Sequence, residues 1–331
     1  MSFSRYNTDD SVISAETVVR PMWTGDAYKL STFFTASGYT EYYLDVYNGI
    51  STASGSEVQF DIQYGNINGS GSLPINSTVA GYSPSRIVYG QYRNLVYGTE
   101  ATNFSFDGGT TTAKDIYAIN ISRTRYKQSI QPGTFNLSLK NGANTIFLTD
   151  DSNTTGLTRF LGENRIYYII SGSNGNAYTS SAVNTYYGIM LPDLGVAILD
   201  ASGSLSPYIT TPAQGVGTVS NNHIKLYTSI SASAATGVSG SGFQAQSQEV
   251  ISSRYFFTRV KNSEFNYTTN PSVIDDNGNL LYTTLINNPQ TFVTTVGMYN
   301  DNNELLAVAK LSKPLVKDFT KEALIRIKLD Y

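Results

Sequence analysis

The chain has 331 residues, a formal net charge of -3 and no cysteine, so disulfide and thiolate chemistry are excluded and one large or two medium domains can form without covalent staples. Charged residues make up 14%, against roughly 25% in an average soluble domain, while 25 tyrosines and abundant Asn, Ser, Thr and Gly imply a neutral, polar surface of the kind used in permanent assembly. The acidic balance argues against a nucleic-acid groove, and no run of about eighteen apolar residues or secretory leader pattern is seen, so neither membrane insertion nor export is expected.

In chain order, residues 1–20 read as an N-terminal arm in which Asp9 and Asp10 could cap a short helix over Ser11–Val19, closed by Pro21. Strands are expected at 28–34 and 41–47. In Glu57–Gln63 the residues Val58, Phe60 and Ile62 alternate with polar neighbours, the period of a half-buried strand. A polar surface loop is expected at Gly65–Gly71, strands at Arg86–Tyr89 and Asn94–Tyr97, a turn at Asp107–Gly109, and a further strand at Asp115–Thr124. Phe135, Leu137 and Leu139 alternate up to Asn141-Gly142, whose positive φ angles suit a type I′ turn, and Thr145–Leu148 returns to complete a hairpin. A second hairpin joins Tyr187–Leu191 to Val196–Leu199. After a strand at Ile224–Ile230, the small residues of Ser231–Gly242 read as a linker.

The clearest strands lie in the last quarter. Arg254–Val260 is one; Thr291–Tyr299 and Leu305–Leu311 form a hairpin across Asn300–Asn303, ended by Pro314. From Glu322 onward, Ile325, Ile327, Leu329 and Tyr331 alternate with Arg326, Lys328 and Asp330, so the end of the chain is expected to dock into a sheet. The class is therefore all-β, with antiparallel, β-sandwich-like domains and little helix. Residues 21–129 plus 246–331 are expected to form a discontinuous domain around an inserted domain at 130–245, with 21–245 and 246–331 in series as the alternative.

Chemistry-bearing motifs are sparse. His223 alternates with Ile224 and Leu226 and is expected on a wet face, without partners for a triad or a metal. Asp150-Asp151, Asp275-Asp276, Glu163 and Asp193 are the carboxylates that could serve glycoside hydrolysis, but acidic residues beside Asn and Gly are also what turns use. Asp275–Asn279 is out of register with a calcium loop, and Gly237–Gly242 lacks the Lys-Ser/Thr of a phosphate loop. No catalytic, metal or cofactor residue is assigned. The adjacent pairs Tyr42-Tyr43, Tyr167-Tyr168 and Tyr186-Tyr187 must point to opposite faces of any strand that carries them, which makes them interface candidates, and Arg326 and Lys328 offer a basic contact.

Several phrases carry a resemblance. Phe265-Asn266-Tyr267 with Asn270-Pro271, Val296–Asp301 (VGMYND), Leu305–Ser312 (LLAVAKLS) and the Lys328–Tyr331 end resemble a virion structural protein of large contractile-tailed phages, the T4-like phages of marine cyanobacteria. Ile119–Arg123, Gln131–Phe135, Tyr187-Gly188-Ile189 and Leu194-Gly195 are similar to the same family, so the likeness spans most of the chain, and its C-terminal pattern resembles a baseplate wedge subunit. The resemblance implies a non-enzymatic structural protein, present in multiple copies, made in the host cytoplasm and kept in the virion, whose partners are other tail or baseplate proteins. The alternative reading is a receptor- or glycan-binding module of the tail fibre or neck.

Overall fold

The computed structural model describes residues 7–36, 43–73, 83–106, 111–179, 185–201, 203–215, 220–268 and 270–330. Tyr42, Tyr331 and the expected turn at Asp107–Gly109 lie outside them. The elements in order are β1 (Ser11–Pro21), β2 (Lys29–Leu30), β3 (Phe34–Thr35), β4 (Tyr43–Tyr47), β5 (Val58–Asn66), α1 (Pro84–Tyr97), β6 (Asp115–Ile121), β7 (Ser129–Ile130), β8 (Asn136–Asn141) and β9 (Asn144–Asp150). They continue with α2 (Ser152–Thr155), β10 (Arg159–Leu161), β11 (Asn164–Ser173), β12 (Asn176–Ala177), β13 (Gly188–Leu191), β14 (Val196–Asp200), α3 (Asn222–Ala234), β15 (Phe243–Gln244) and β16 (Gln246–Val260). The last are α4 (Thr283–Asn287), β17 (Thr291–Tyr299), β18 (Leu305–Lys317) and β19 (Ala323–Asp330). Strand accounts for 43% and helix for 14%, well under the third usual in globular proteins, so the class is all-β.

The chain divides into two compact units, Met1–Thr17 with Val250–Tyr331, and Val18–Glu249. Position 130 is not a boundary: β4, β5 and β6 before it share one sheet with β8, β9 and β11 after it.

The larger unit is built on a 13-stranded antiparallel sheet in the order β2-β15-β8-β9-β11-β13-β14-β6-β5-β4-β3, with β10 and β12 on β11. Seven interstrand steps separate β15 from β5, which in a flat sheet would put them about 34 Å apart. Yet the rings of Phe243 on β15 and Phe60 on β5 have centroids 5.3 Å apart. The sheet therefore curls into a half-barrel. Helix α3 fills the curl, packing against β8, β5 and β4, and its Leu226 and Ile230 join Phe60, Phe135, Leu137, Tyr117 and Phe243 in the main core. On the other face α1 lies across β5, and Val88, Tyr89, Tyr92 and Val96 pack with Phe104, Ile116 and Ile198 in a second core. With both faces covered, β6 is buried almost throughout (DIYAINI), and the polar side of β5 loses part of its solvent: Gln59 has no exposed surface, and Asp61 and Gln63 are half-buried.

Both longer helices replace expected strands. Pro84 opens α1 at a position where its missing N–H costs nothing, and Gly98, in the left-handed conformation at φ 67°, closes it by donating to the Asn94 carbonyl. The buried residues Val88, Tyr89, Tyr92 and Val96 fall on one helical stripe, a 3.6-residue period that outweighs the β-propensity of their side chains. In α3 the buried positions Asn222, His223, Leu226, Ser229, Ile230 and Ser233 follow the same spacing, so His223 is in the interior, not on a wet face. The helix also absorbs the start of the expected linker, and Ser241 and Gly242 at its end are buried, the Gly242 N–H donating to Ser138 Oγ at 2.6 Å. The expected surface loop at Gly65–Gly71 is likewise largely interior, with Asn66 bound to Asp115.

Where alternation and turn chemistry agree, the expected strands are present. The β8–β9 hairpin pairs Leu137 with Leu148 and Leu139 with Ile146; its turn is one residue later than expected, since Asn141 stays paired with Asn144 and Gly142 carries the positive φ of 59°. The β13–β14 hairpin pairs Leu191 with Val196.

In the smaller unit β16 lies between β1 and β19, and pairs antiparallel with β19 from Ser253↔Asp330 to Val260↔Ala323. Ser11–Val19 is thus strand, not helix, because pairing with β16 satisfies its backbone. The β17–β18 hairpin runs through Pro314 to Lys317, with a register shift between Val293 and Thr295 opposite the proline, whose missing N–H a bulge tolerates. Only part of the alternating face of β19 is interior: Ile325 is buried and Ile327 half-buried, but Leu329 is exposed.

Candidate functional site

The paired tyrosines separate as the alternation of a strand requires. On β11, Tyr167 is buried in the main core opposite Met190, which removes it from any docking surface. Tyr168 points to the other face and stacks on Tyr186, ring centroids 4.3 Å apart. The Arg159 guanidinium lies 4.9 Å above the Tyr168 ring while Nη1 of Arg159 donates to Asp151 Oδ2 at 2.6 Å, giving a layered cation–aromatic–aromatic stack in which two of the candidate tyrosines stay half-buried. Tyr187 packs half-buried against the main core, and Tyr43 is exposed at the start of β4.

On β19, Arg326 and Lys328 are exposed but both engage neighbours within their own unit. Arg326 lies over the Tyr255 ring at 5.4 Å, and Lys328 pairs with Asp330 at 3.1 Å and Glu16 at 3.6 Å, so its pKa is raised by the Asp330 carboxylate. A feature without a counterpart among the sequence-derived candidates dominates this unit. Among the described residues its buried apolar side chains are Phe256, Val260 and Ile325, whereas Phe292, Leu305, Leu306, Val308 and Leu324 are all more than half exposed. The half-covered face of the β17–β18 hairpin meets Ile327 and Leu329 across a crevice of about 80 Å³. Adjacent Leu305 and Leu306 were the available signal, because neighbouring residues on a strand cannot share one face.

Four of the carboxylates singled out in the sequence, Asp150, Asp151, Asp193 and Asp275, bond to neighbouring segments. Asp150, pushed up in pKa by burial, accepts from the Gly133 N–H with both oxygens at 2.9 Å and from the Ser152 N–H at 3.1 Å. Asp151 receives Arg159 and the Tyr168 N–H; Asp193 pairs with Arg165 at 2.7 Å. Asp275 organises its turn by accepting from Nδ2 of Asn279 at 3.1 Å and from the N–H groups of Asn279 and Asn277, and these bonds, the Asn279 side chain foremost, lower its pKa. Burial lowers His223 to about 4, and its Nε2 has no partner among the described residues. Two further carboxylates emerge only from the fold. Asp115 on β6 accepts from Tyr64 Oη at 2.5 Å, Asn66 Nδ2 at 2.6 Å and Gln214 Nε2 at 3.3 Å. Asp61 on β5, opposite Asp45 on β4, is raised to about 6 by burial. Among the described residues no group of three or more His, Asp or Glu is placed to hold a metal, and no helix is long and apolar enough to cross a membrane. Comparison with protein-family models, curated proteins and solved structures finds no match to this chain.

Proposed function

We propose that this chain is a non-enzymatic structural component of a contractile phage tail, a baseplate wedge subunit that joins neighbouring tail proteins, occurs in multiple copies in the virion and is synthesised in the host cytoplasm. The observation that carries the reading is the smaller unit, where Phe292, Leu305, Leu306, Val308 and Leu324 lie exposed beside a thin core. Apolar area left in water contributes nothing to stability, at roughly 25 cal/mol per Å² forgone, and five exposed large apolar side chains gathered in one small unit support a reading in which neighbours cover them. The low charge of the whole chain and the phage-like phrases at 296–312, in the same hairpin, support the same reading.

The test is electron cryomicroscopy of the intact particle together with mass spectrometry of purified virions. The chain is expected in the baseplate density with the β17–β18 hairpin against another protein. Absence from virions would sink the proposal, and a place in the neck or sheath would overturn its baseplate assignment.

A further inference from the structure

A cavity of about 220 Å³ opens on the larger unit, on the face of β15, β8, β9 and β11 opposite the main core. Its floor is made by Gln244, Asn136 and Phe147; Ser173 at the end of β11, Asn174 in the turn after it and Tyr178 form one wall, and Ser239 and Gly240 after α3 form the other. These segments are brought together by strand pairing: Gln244 sits opposite Asn136, and Asn136 opposite Thr149. The wall at Asn174 is fixed, because its N–H donates to Asn136 Oδ1 at 2.7 Å and its own Oδ1 accepts from Asn136 Nδ2 at 3.0 Å. Gly240 is held with its α-carbon beside the Phe147 ring, where an added methyl would touch the ring at 3.5 Å.

Three properties define what fits. Among the described residues no charged side chain lines the cavity, so an ionic ligand would lose its hydration without a counter-charge. The side-chain amide of Gln244, Nδ2 of Asn174 and the hydroxyls of Ser173 and Ser239 make no hydrogen bond among the described residues, leaving amide and hydroxyl groups that can both donate and accept. Phe147 and the exposed Tyr178 meet edge to face, centroids 6.5 Å apart, and offer aromatic surface to C–H groups. A cavity of this size is smaller than the roughly 300 Å³ at which drug-sized sites begin, and it holds the volume of about seven waters. We propose that it is a subsite for one neutral, hydroxyl-rich ring, a single pyranose residue of a glycan, with Gln244 and Asn174 bonding vicinal hydroxyls and Tyr178 covering a ring face. This goes beyond the structural role and does not depend on it.

A single sugar ring has few atoms, so a dissociation constant on the order of 1 mM is expected. The test is saturation-transfer NMR on the full chain with the methyl glycosides of glucose, galactose, mannose and N-acetylglucosamine, and with glycerol as a ringless control. At least one glycoside should show transfer to its ring protons, reduced at least fivefold by Gln244→Leu and by Tyr178→Ala in proteins that unfold at the wild-type temperature; if either variant is less stable, chemical-shift changes at the Ser239 and Gly240 amides of the wild type on adding glycoside serve instead. No transfer from any of the four, transfer that survives both substitutions, unmoved amides, or equal transfer from glycerol would each overturn the assignment.

Discussion

The ammonium of Lys317, which has no exposed surface, donates to Oδ1 of Asn266 at 2.8 Å. Its two other protons go to the carbonyls of Asn262 and Asp318, both at 2.9 Å, so all three donors of the lysine are used. The end of β18 is thereby tied to the segment that follows β16, in a unit with few buried apolar side chains.

Lys317→Met should destabilise the protein by about 2 kcal/mol, because it takes the shared donor from three acceptors, of which the Asp318 carbonyl is buried. Lys317→Arg should not rescue it, since a planar fork cannot meet three acceptors grouped around one nitrogen. Urea unfolding checks both; a loss below about 0.5 kcal/mol for Met would show that water replaces the ammonium freely.

His223 and Asp61 should make stability depend on pH in opposite directions. His223 titrates near 4 when folded against an ordinary value of 6.5, so between those limits the unfolded chain binds the extra proton and stability falls as pH drops. Asp61 titrates near 6 when folded against 3.8, so the folded chain holds the extra proton and stability rises as pH drops through that window. Each shift corresponds to at most about 3 kcal/mol, and the two nearly cancel. Asp61→Asn, which can still accept from Asn120 and Gln63, should therefore be more stable than wild type at pH 8, with the advantage vanishing by pH 4; His223→Gln should show its gain relative to wild type at pH 4. Differences between variant and wild type that stay flat from pH 4 to 8 would contradict both assignments.

Gly188 and Gly98 should respond to alanine for different reasons. A methyl on Gly188 would stand 2.1 Å from the Ile198 carbonyl oxygen of the paired strand, so β13 and β14 must part, at about 3 kcal/mol or more. At Gly98 nothing lies within 4 Å and only the left-handed φ of 67° is strained, at about 1 kcal/mol. Thermal unfolding of the two single variants decides the ranking.

Phe292→Ser, Leu306→Ser and Leu324→Ser combined should change the stability of the isolated chain by no more than about 1 kcal/mol, each site being more than 60% exposed, and should raise its solubility. Under the assembly proposal the triple variant should fail to complement particle formation. A variant that enters virions at wild-type level would remove these side chains as docking contacts.

Local information in the chain was sufficient for the strands whose alternation and turn residues agree. The β8–β9 and β17–β18 hairpins, β19 and the opposite directions of Tyr167 and Tyr168 follow from a side-chain period of two, which any strand obeys whatever surrounds it. Pro84 and Gly98 also mark the ends of α1 in the sequence, but the β-branched and aromatic residues between them weigh toward strand until a curved sheet supplies a face for Val88, Tyr92 and Val96 to bury. Only the tertiary structure decided what burial did. It placed α3 inside the half-barrel and so made His223 interior; it covered both faces of β5 and so raised Asp61; and it left Leu329 in water although its pattern matches that of Ile325. The cavity beside Phe147 could not be read along the chain, because its walls come from segments about 100 residues apart that meet only through the pairing of β15 with β8. Pattern states which residues share a face, and the packing of distant segments determines whether that face is dry.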